Sequence, residues 1–197
     1  MKFLDLFAGL GGASQAFVDS PSWEVLRIDN NPLLSEVEHM WIDEMIHVRD
    51  ILRREQHMLD DIDVVWASPP CTDFSVAYNA PRAVAQRNKV EYEPSLELLE
   101  ITLEIISIIN PRYWIIENVR GSMTYFRDLL GEPRQIHDAY VLWGNYPTFT
   151  PEPFPPKADK DDRHSPLRSN VRARIPIQIS KALLDAIENQ KTLFDYV

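Results

Sequence analysis

Short apolar runs separated by longer amphipathic stretches restrict the fold of this chain more than any other feature. Residues 2–7, 24–28, 63–67, 113–116 and 139–143 are rich in branched and aromatic side chains and too short for ordinary helices, so they read as buried strands. Between them the spacing turns helical. Leu96, Leu99, Leu103, Ile106 and Ile109 recur at helical intervals, with Ser95 after Pro94 as N-cap and Asn110-Pro111 as the stop. Residues 176–189 repeat the pattern through Ile179, Leu183 and Ile187, opening on a proline suited to a first helical turn. Such alternation predicts an α/β fold, Rossmann-like, with a mostly parallel sheet, helices on both faces and ligands bound at the carboxyl ends of the strands.

The 197 residues, 45% of them hydrophobic, supply one core, so residues 1–197 are expected to form a single domain. With 20 Lys+Arg against 30 Asp+Glu the formal charge is -10, which excludes a histone-like binder; nucleic acid would need a local basic face. That charge lies late: residues 1–110 hold 8 basic against 19 acidic side chains, residues 111–197 hold 12 against 11. The one cysteine, Cys71, excludes an internal disulfide and a cysteine-rich zinc module, and suits a reducing, cytoplasmic location with no metal. No apolar run approaches the ~20 residues of a membrane span, so no membrane partner is expected. Residues 145–171 contain six of the 15 prolines and read as a long irregular loop.

Polar residues at the predicted strand ends carry the chemistry. After the first run, residues 5–12 (DLFAGLGG) offer glycines for a tight turn and close approach to a nucleotide-like ligand, or simply a tight turn; F-x-G-x-G-G differs from the dinucleotide pattern G-x-G-x-x-G. Asp29 suits ribose hydroxyls, or a helix cap before Pro32. Asp50 and Ile51 suit an adenine amino group and ring at a third strand end, or again a cap. Cys71 follows Pro69 and Pro70 on a stiffened loop just past a buried strand, where a nucleophile belongs; packing is its bland alternative. Glu117 and Asn118 end a strongly apolar run, and a carboxyl group there requires a partner, either an arginine or the chemistry of a neighbouring thiol. Late in the chain Arg163, His164, Arg168, Arg172 and Arg174 form a basic cluster, with Tyr146, Phe149 and Phe154 placed to stack on single-stranded bases. Asp159, Asp161 and Asp162 would balance the same charges in a solvated loop.

DLFAGLGG, SPPCTDFS and IIENVRG, in this order, resemble the motifs of the cytosine C5 DNA methyltransferases that use S-adenosylmethionine. The resemblance implies a short bacterial or phage-type member in which Phe7, Gly9 and Gly11 meet the methionine part of the cofactor, Asp29 its ribose, and Asp50 with Ile51 its adenine. It makes Cys71, set by Pro70, the nucleophile that adds to C6 of cytosine, and Glu117 the group at N3. Asn118 and Val119 would position the loop and the flipped base, and residues 72–89 would form a flap whose Arg82, Arg87 and Lys89 touch phosphates. Several positions depart from the family. Its Q-x-R-x-R segment falls on Gln135-Ile136-His137-Asp138-Ala139, without either arginine, leaving Arg134, Arg172 or Arg174 as substitutes. Asn30 stands where many relatives carry an aromatic ring, and Arg174-Ile175-Pro176 replaces Gly-Asn before the last helix. The target-recognition region shrinks to residues 145–171, which implies short or relaxed specificity on single-stranded or duplex DNA. RNA is the rival substrate. A cofactor-binding subunit whose protein partner supplies target recognition is the rival from another class.

Overall fold

The computed structural model describes residues 1–55, 57–75, 80–155 and 165–189, and each of the five apolar runs forms a strand. In chain order the elements are β1 (Lys2–Leu6), α1 (Gln15–Val18), β2 (Glu24–Asp29), β3 (Met40–Ile42), α2 (Met45–Arg54), β4 (Val64–Ala67), α3 (Pro81–Asn88), α4 (Glu97–Ile109), β5 (Tyr113–Val119), α5 (Met123–Leu130), β6 (Gln135–His137), β7 (Tyr140–Asn145), α6 (Arg168–Ala173) and α7 (Ile177–Glu188). The strands make one sheet in the order β3-β2-β1-β4-β5-β7-β6. Pairings among β1 to β5 are parallel, and β7 runs antiparallel to β5 and β6. The strand order reverses direction between β1 and β4, which opens a crevice at their carboxyl ends.

Both faces of the sheet are covered, as a Rossmann-like fold requires. On one face Val48 and Leu52 of α2 and Leu99, Ile105 and Ile106 of α4 pack with Leu4, Val65 and Ile116. On the other, Ile179, Leu183 and Ile187 of α7 pack with Phe3, Phe17, Trp66 and Ile115. Helix α4 starts two residues after Ser95, whose hydroxyl accepts a bond from the Glu97 amide at 3.3 Å; left-handed Asn110 (φ 49°) ends it before Pro111. Pro176 precedes the first residue of α7 rather than occupying it.

The structure corrects four expectations. Two three-residue strands, β3 and β6, went unforeseen because neither carries a readable alternation over so short a length. Asp50 and Ile51 end no strand: they lie inside α2, whose Met45, Val48 and Leu52 are buried at helical spacing. Arg49 binds the Asp50 carboxylate at 2.8 Å and holds its pKa below the usual range. Strand β5 runs on through Val119, so Glu117 stands within the sheet, opposite Leu142. The segment after β7 is irregular, yet it folds back onto β6 rather than presenting its aromatic rings to bases. Gln135 and the Phe149 backbone exchange hydrogen bonds of 2.8 and 3.2 Å, Phe149 stacks on His137 at 5.1 Å, and Phe154 meets the Tyr140 ring at 5.9 Å. Tyr146 and Phe149 are buried, each worth about 1.5–3 kcal/mol when removed from water.

Beneath the turn after β1 lies a buried polar network. The Ser14 hydroxyl donates to Asp5 at 2.6 Å, and Arg27 donates to Ser14 Oγ at 2.9 Å, the Gly11 carbonyl at 3.1 Å, Gln15 Oε1 at 3.1 Å and the Glu38 carbonyl at 3.0 Å. Burial pushes the Asp5 pKa up to about 7, with the Ser14 hydrogen bond and the Arg27 charge pulling it back down in part. An unfolded aspartate titrates near ~4. A raised acid contributes stability that is full below the unfolded value and is lost as pH rises towards the folded one. Urea unfolding at pH 5 and pH 8 is therefore expected to show the advantage of the wild type over Asp5→Asn shrinking by about 3 kcal/mol at the higher pH; an unchanged gap would remove Asp5 as the titrating group.

Candidate active site

Strand β1 delivers the chain into a turn that departs from ordinary backbone conformation at three residues: Phe7 (φ 57°), Gly9 (φ 53°) and Gly11 (φ 67°). A Cβ at Gly11 would fall onto the Arg27 guanidinium, so only glycine fits there. Phe7 adopts the left-handed region without that freedom, a strain that is found concentrated at ligand sites. The turn is tied to the end of β2. The Ala8 amide donates to the Ile28 carbonyl at 3.0 Å, and the Asp29 carboxylate accepts from the Gly9 amide at 2.9 Å and the Asn31 amide at 3.0 Å.

The carboxyl ends of β4 and β5 lie side by side, and their loops are joined through backbone. The Asn118 side-chain amide donates to the Pro69 carbonyl at 2.9 Å, while its oxygen accepts from the Val119 amide at 2.9 Å. Past Cys71 the chain closes a turn, with the Phe74 and Ser75 amides donating to the Cys71 carbonyl at 3.1 and 3.0 Å. A Cβ at Gly121 would strike the Phe74 carbonyl oxygen, so these two loops meet at the closest approach glycine permits. Arg82 of α3 covers the joint: it donates to the Gly121 carbonyl at 2.9 Å and lies over the Tyr125 ring at 5.4 Å. This engages the side chain that was expected on a phosphate.

The strand ends enclose a cleft of about 400 Å³, within the range of nucleoside-sized sites. Phe7, Gly9, Asp29, Pro70, Cys71 and Glu117 all line it. Its remaining wall comes from the far end of the chain, residues Ser169, Asn170, Ala173, Arg174 and Ile175. Asp29 and Glu117 line the cleft together with a single guanidinium, that of Arg174, among the described lining residues, while Asp5 beneath them is engaged by Ser14 and Arg27. Asp29 and Glu117 against that one cation suit a ligand with net positive charge, and the amide-rich turn beside Asp29 suits polar groups that need both donors and acceptors. That is the chemistry of S-adenosylmethionine, with its sulfonium, ammonium and ribose hydroxyls.

Other predicted residues fall elsewhere. Gly11 and Asn118 support the cleft from beneath, and neither Asp50 nor Ile51 lines it. Arg134 stands at the start of β6, its amide bonded to the Leu142 carbonyl at 2.8 Å and its guanidinium over Tyr146 at 5.4 Å, and it does not line the cleft. Arg87 and Lys89 are exposed at the end of α3, and Arg168 opens α6 outside the cleft. Arg172 lines a neighbouring cavity. Arg163 and His164 lie outside the described residues. Of the three proposed substitutes for the family's arginines, Arg174 is thus the one that shares the cleft with Glu117. The Tyr140 hydroxyl donates to the Arg174 carbonyl at 3.5 Å; burial, with the Glu117 charge, pushes its pKa far above the tyrosine range and keeps it protonated. Sequence reasoning missed Asp5 and Arg27, although a charged residue inside an otherwise apolar strand is itself a signal that a buried partner waits.

Residues 1–127 match the family described as C-5 cytosine-specific DNA methylase. The chain is 30% identical over 152 residues to the "Probable DNA (cytosine-5)-methyltransferase" of frog virus 3 (isolate Goorha), covering 73% of this chain and 66% of that protein. It is 24% identical over 134 residues to the type II methyltransferase M1.HphI of Haemophilus parahaemolyticus, covering 64% of this chain and 34% of that one. Human methyltransferase-like protein 13, solved in complex with SAH, superposes with a TM-score of 0.46 at 13% identity, covering 100% of this chain and 89% of that chain. The chain spans from about one third to just under two thirds of the length of these two curated relatives. With the family's match running through the glycine turn, the cysteine loop and the end of β5, this chain belongs to the C-5 cytosine-specific DNA methylase family.

Proposed function

We propose that this chain transfers the methyl group of S-adenosylmethionine to C5 of cytosine in DNA, through a covalent bond between Cys71 and C6. The observation that carries this reading is that Cys71 and Glu117 line the same cleft as the glycine turn and Asp29. Bound in that cleft, the cofactor supplies an electrophilic methyl group on sulfur. Phe7 and Gly9, held from below by Gly11, serve its methionine end. Asp29 already accepts two amide bonds and keeps further lone pairs for ribose hydroxyls. Asp50 and Ile51 drop out of the adenine role, being in the middle of α2.

Cytosine C5 is too electron-poor to attack a methyl donor unaided. Addition of the Cys71 thiolate to C6, with a proton shared between Glu117 and N3, pushes electron density onto C5 and divides one hard step into easier ones. After methyl transfer, loss of the C5 proton to solvent water and return of the C6–S bonding pair to sulfur restore both ring and thiolate. Asn118 acts as a positioning residue, fixing the Pro69 carbonyl and so the approach of the cysteine loop. Arg82 positions the same loop through Gly121. Arg174 supplies the cation at the base O2 edge that the family's missing arginines would give. Residues 145–155 spend their aromatic rings on the core, which supports short sequence recognition. A duplex target would also need its base flipped out.

The test is transfer of labelled methyl to single-stranded DNA, duplex DNA and RNA of one cytosine-rich sequence, with the expected label in 5-methylcytosine of DNA. Label confined to RNA would replace the substrate. Cys71→Ala is expected to lower transfer by on the order of 10³ or more while cofactor binding persists; activity surviving that change would exclude the covalent route. Glu117→Gln should cost roughly 10²–10⁴ in turnover at preserved fold, and near-normal turnover would reassign it to structure. Asn118→Ala leaves the Pro69 carbonyl without its partner, and denaturant titration should record a loss of about 1–3 kcal/mol together with slower transfer.

A further inference from the structure

Behind the wall of the cleft lies a second cavity of about 540 Å³, and the two share Arg174 and Ile175. Pro155, Val171 and Ile177 give it apolar sides, the largely buried Tyr140 borders it, and Arg172 joins Arg174 at its edge. No aspartate or glutamate among the described residues lines it. Among the described residues no carboxylate lies within ion-pairing distance of Arg172 or Arg174. In a chain of net charge -10, two guanidiniums beside a cavity whose described lining holds no acid make a local site for an anion. The apolar walls call for that anion to carry a flat, hydrophobic body, and a nucleotide is both.

We propose that this cavity holds the nucleotide next to the target cytosine, its phosphate on Arg172 and Arg174 and its base against Pro155, Val171 and Ile177. The proposal rests on the reaction assigned to the cleft, because the shared wall makes the two cavities neighbours as consecutive nucleotides of one strand are. A base inside a duplex is stacked on both sides and cannot enter a side cavity without being pulled out. The substrate class is therefore single-stranded or locally opened DNA, read by the stacking and phosphate contacts of an unpaired strand rather than by a groove. It also gives Arg172 and Arg174 a use where the described aromatic rings nearby pack on the core.

Equilibrium binding in the presence of S-adenosylhomocysteine, which carries no methyl to transfer, tests the site independently of turnover. The probes are 5′-phosphorylated deoxycytidine, the corresponding dinucleotides, and one cytosine-containing oligonucleotide offered as a single strand and as a duplex. The wild-type protein should bind the dinucleotides about tenfold more tightly than the mononucleotide, and the single strand about tenfold more tightly than the duplex. Arg172→Gln, and Val171→Asp at a half-exposed position, should each erase the dinucleotide advantage without moving the melting temperature of the protein. Equal affinity for mono- and dinucleotides, equal affinity for single strand and duplex, or variants that bind as the wild type does would overturn the proposal. If binding depends on length but no methyl is transferred to DNA, the reaction assigned to the cleft fails instead. Methyl transfer to DNA with both variants binding normally would fault the second cavity alone.

Discussion

A guanidinium buried to within 2% of full exclusion from water holds the floor of the cleft. Arg27 belongs to β2, yet its donors reach the glycine turn at Gly11, the start of α1 at Ser14 and Gln15, and the approach to β3 at Glu38. An arginine without water must spend its donors on protein oxygen, and the Gly11 carbonyl beneath a tight turn has equal need of a donor. Desolvation lowers the Arg27 pKa, but a guanidinium retains its charge. The cost of burying it is offset only while all these acceptors stay in place. That condition pins the turn in the shape that leaves room for a ligand above it.

A second constraint acts at the opposite side of the crevice. Cys71 sits on the loop after β4, which has no regular structure to hold it at the point of use, whereas Glu117 is held within β5. The loop takes its rigidity from the end of β5 and the residues that follow it. Asn118 bonds Pro69, Gly121 admits Phe74, and Phe74 packs edge-on against Phe126 at 5.0 Å. Reacting groups need placement to within fractions of an ångström, and here strand β5 fixes Glu117 while contact with the end of that strand fixes the cysteine loop.

Much of this was legible in the amino-acid sequence, for reasons that differ by element. The strands β1, β2, β4, β5 and β7 announce themselves because central strands must be apolar on both faces, and the long amphipathic α4 and α7 because one face must meet the sheet. The gathering of Pro70, Cys71 and the strand residue Glu117 at one cleft was legible from chemistry placed near strand ends. Asp50 misled because an acid followed by an apolar residue looks alike at a strand end and in a helix, and only the burial of Met45, Val48 and Leu52 decides between them. Phe149 misled because a proline-rich segment signals irregular backbone and says nothing of whether its side chains face water. Arg134 and Arg174 were equivalent as letters; the antiparallel return of β7 separates them, carrying the first to the start of the edge strand and leaving the second at the cleft.

The last helix of the described chain docks on the first. Ser180 donates to the Ala13 carbonyl at 2.6 Å and accepts from the Ala16 amide at 3.0 Å, and the segment leading into α7 supplies the remaining wall of the cleft. A ribosome releases this chain from the amino terminus, so the glycine turn, the cysteine loop and Glu117 all emerge while that wall is still unsynthesised. Assembly of the cleft is thereby deferred until residues 169–175 have been made. Until residues 169–175 have emerged and α7 has closed on α1, the nascent chain has three sides of a pocket and no means of retaining what enters it.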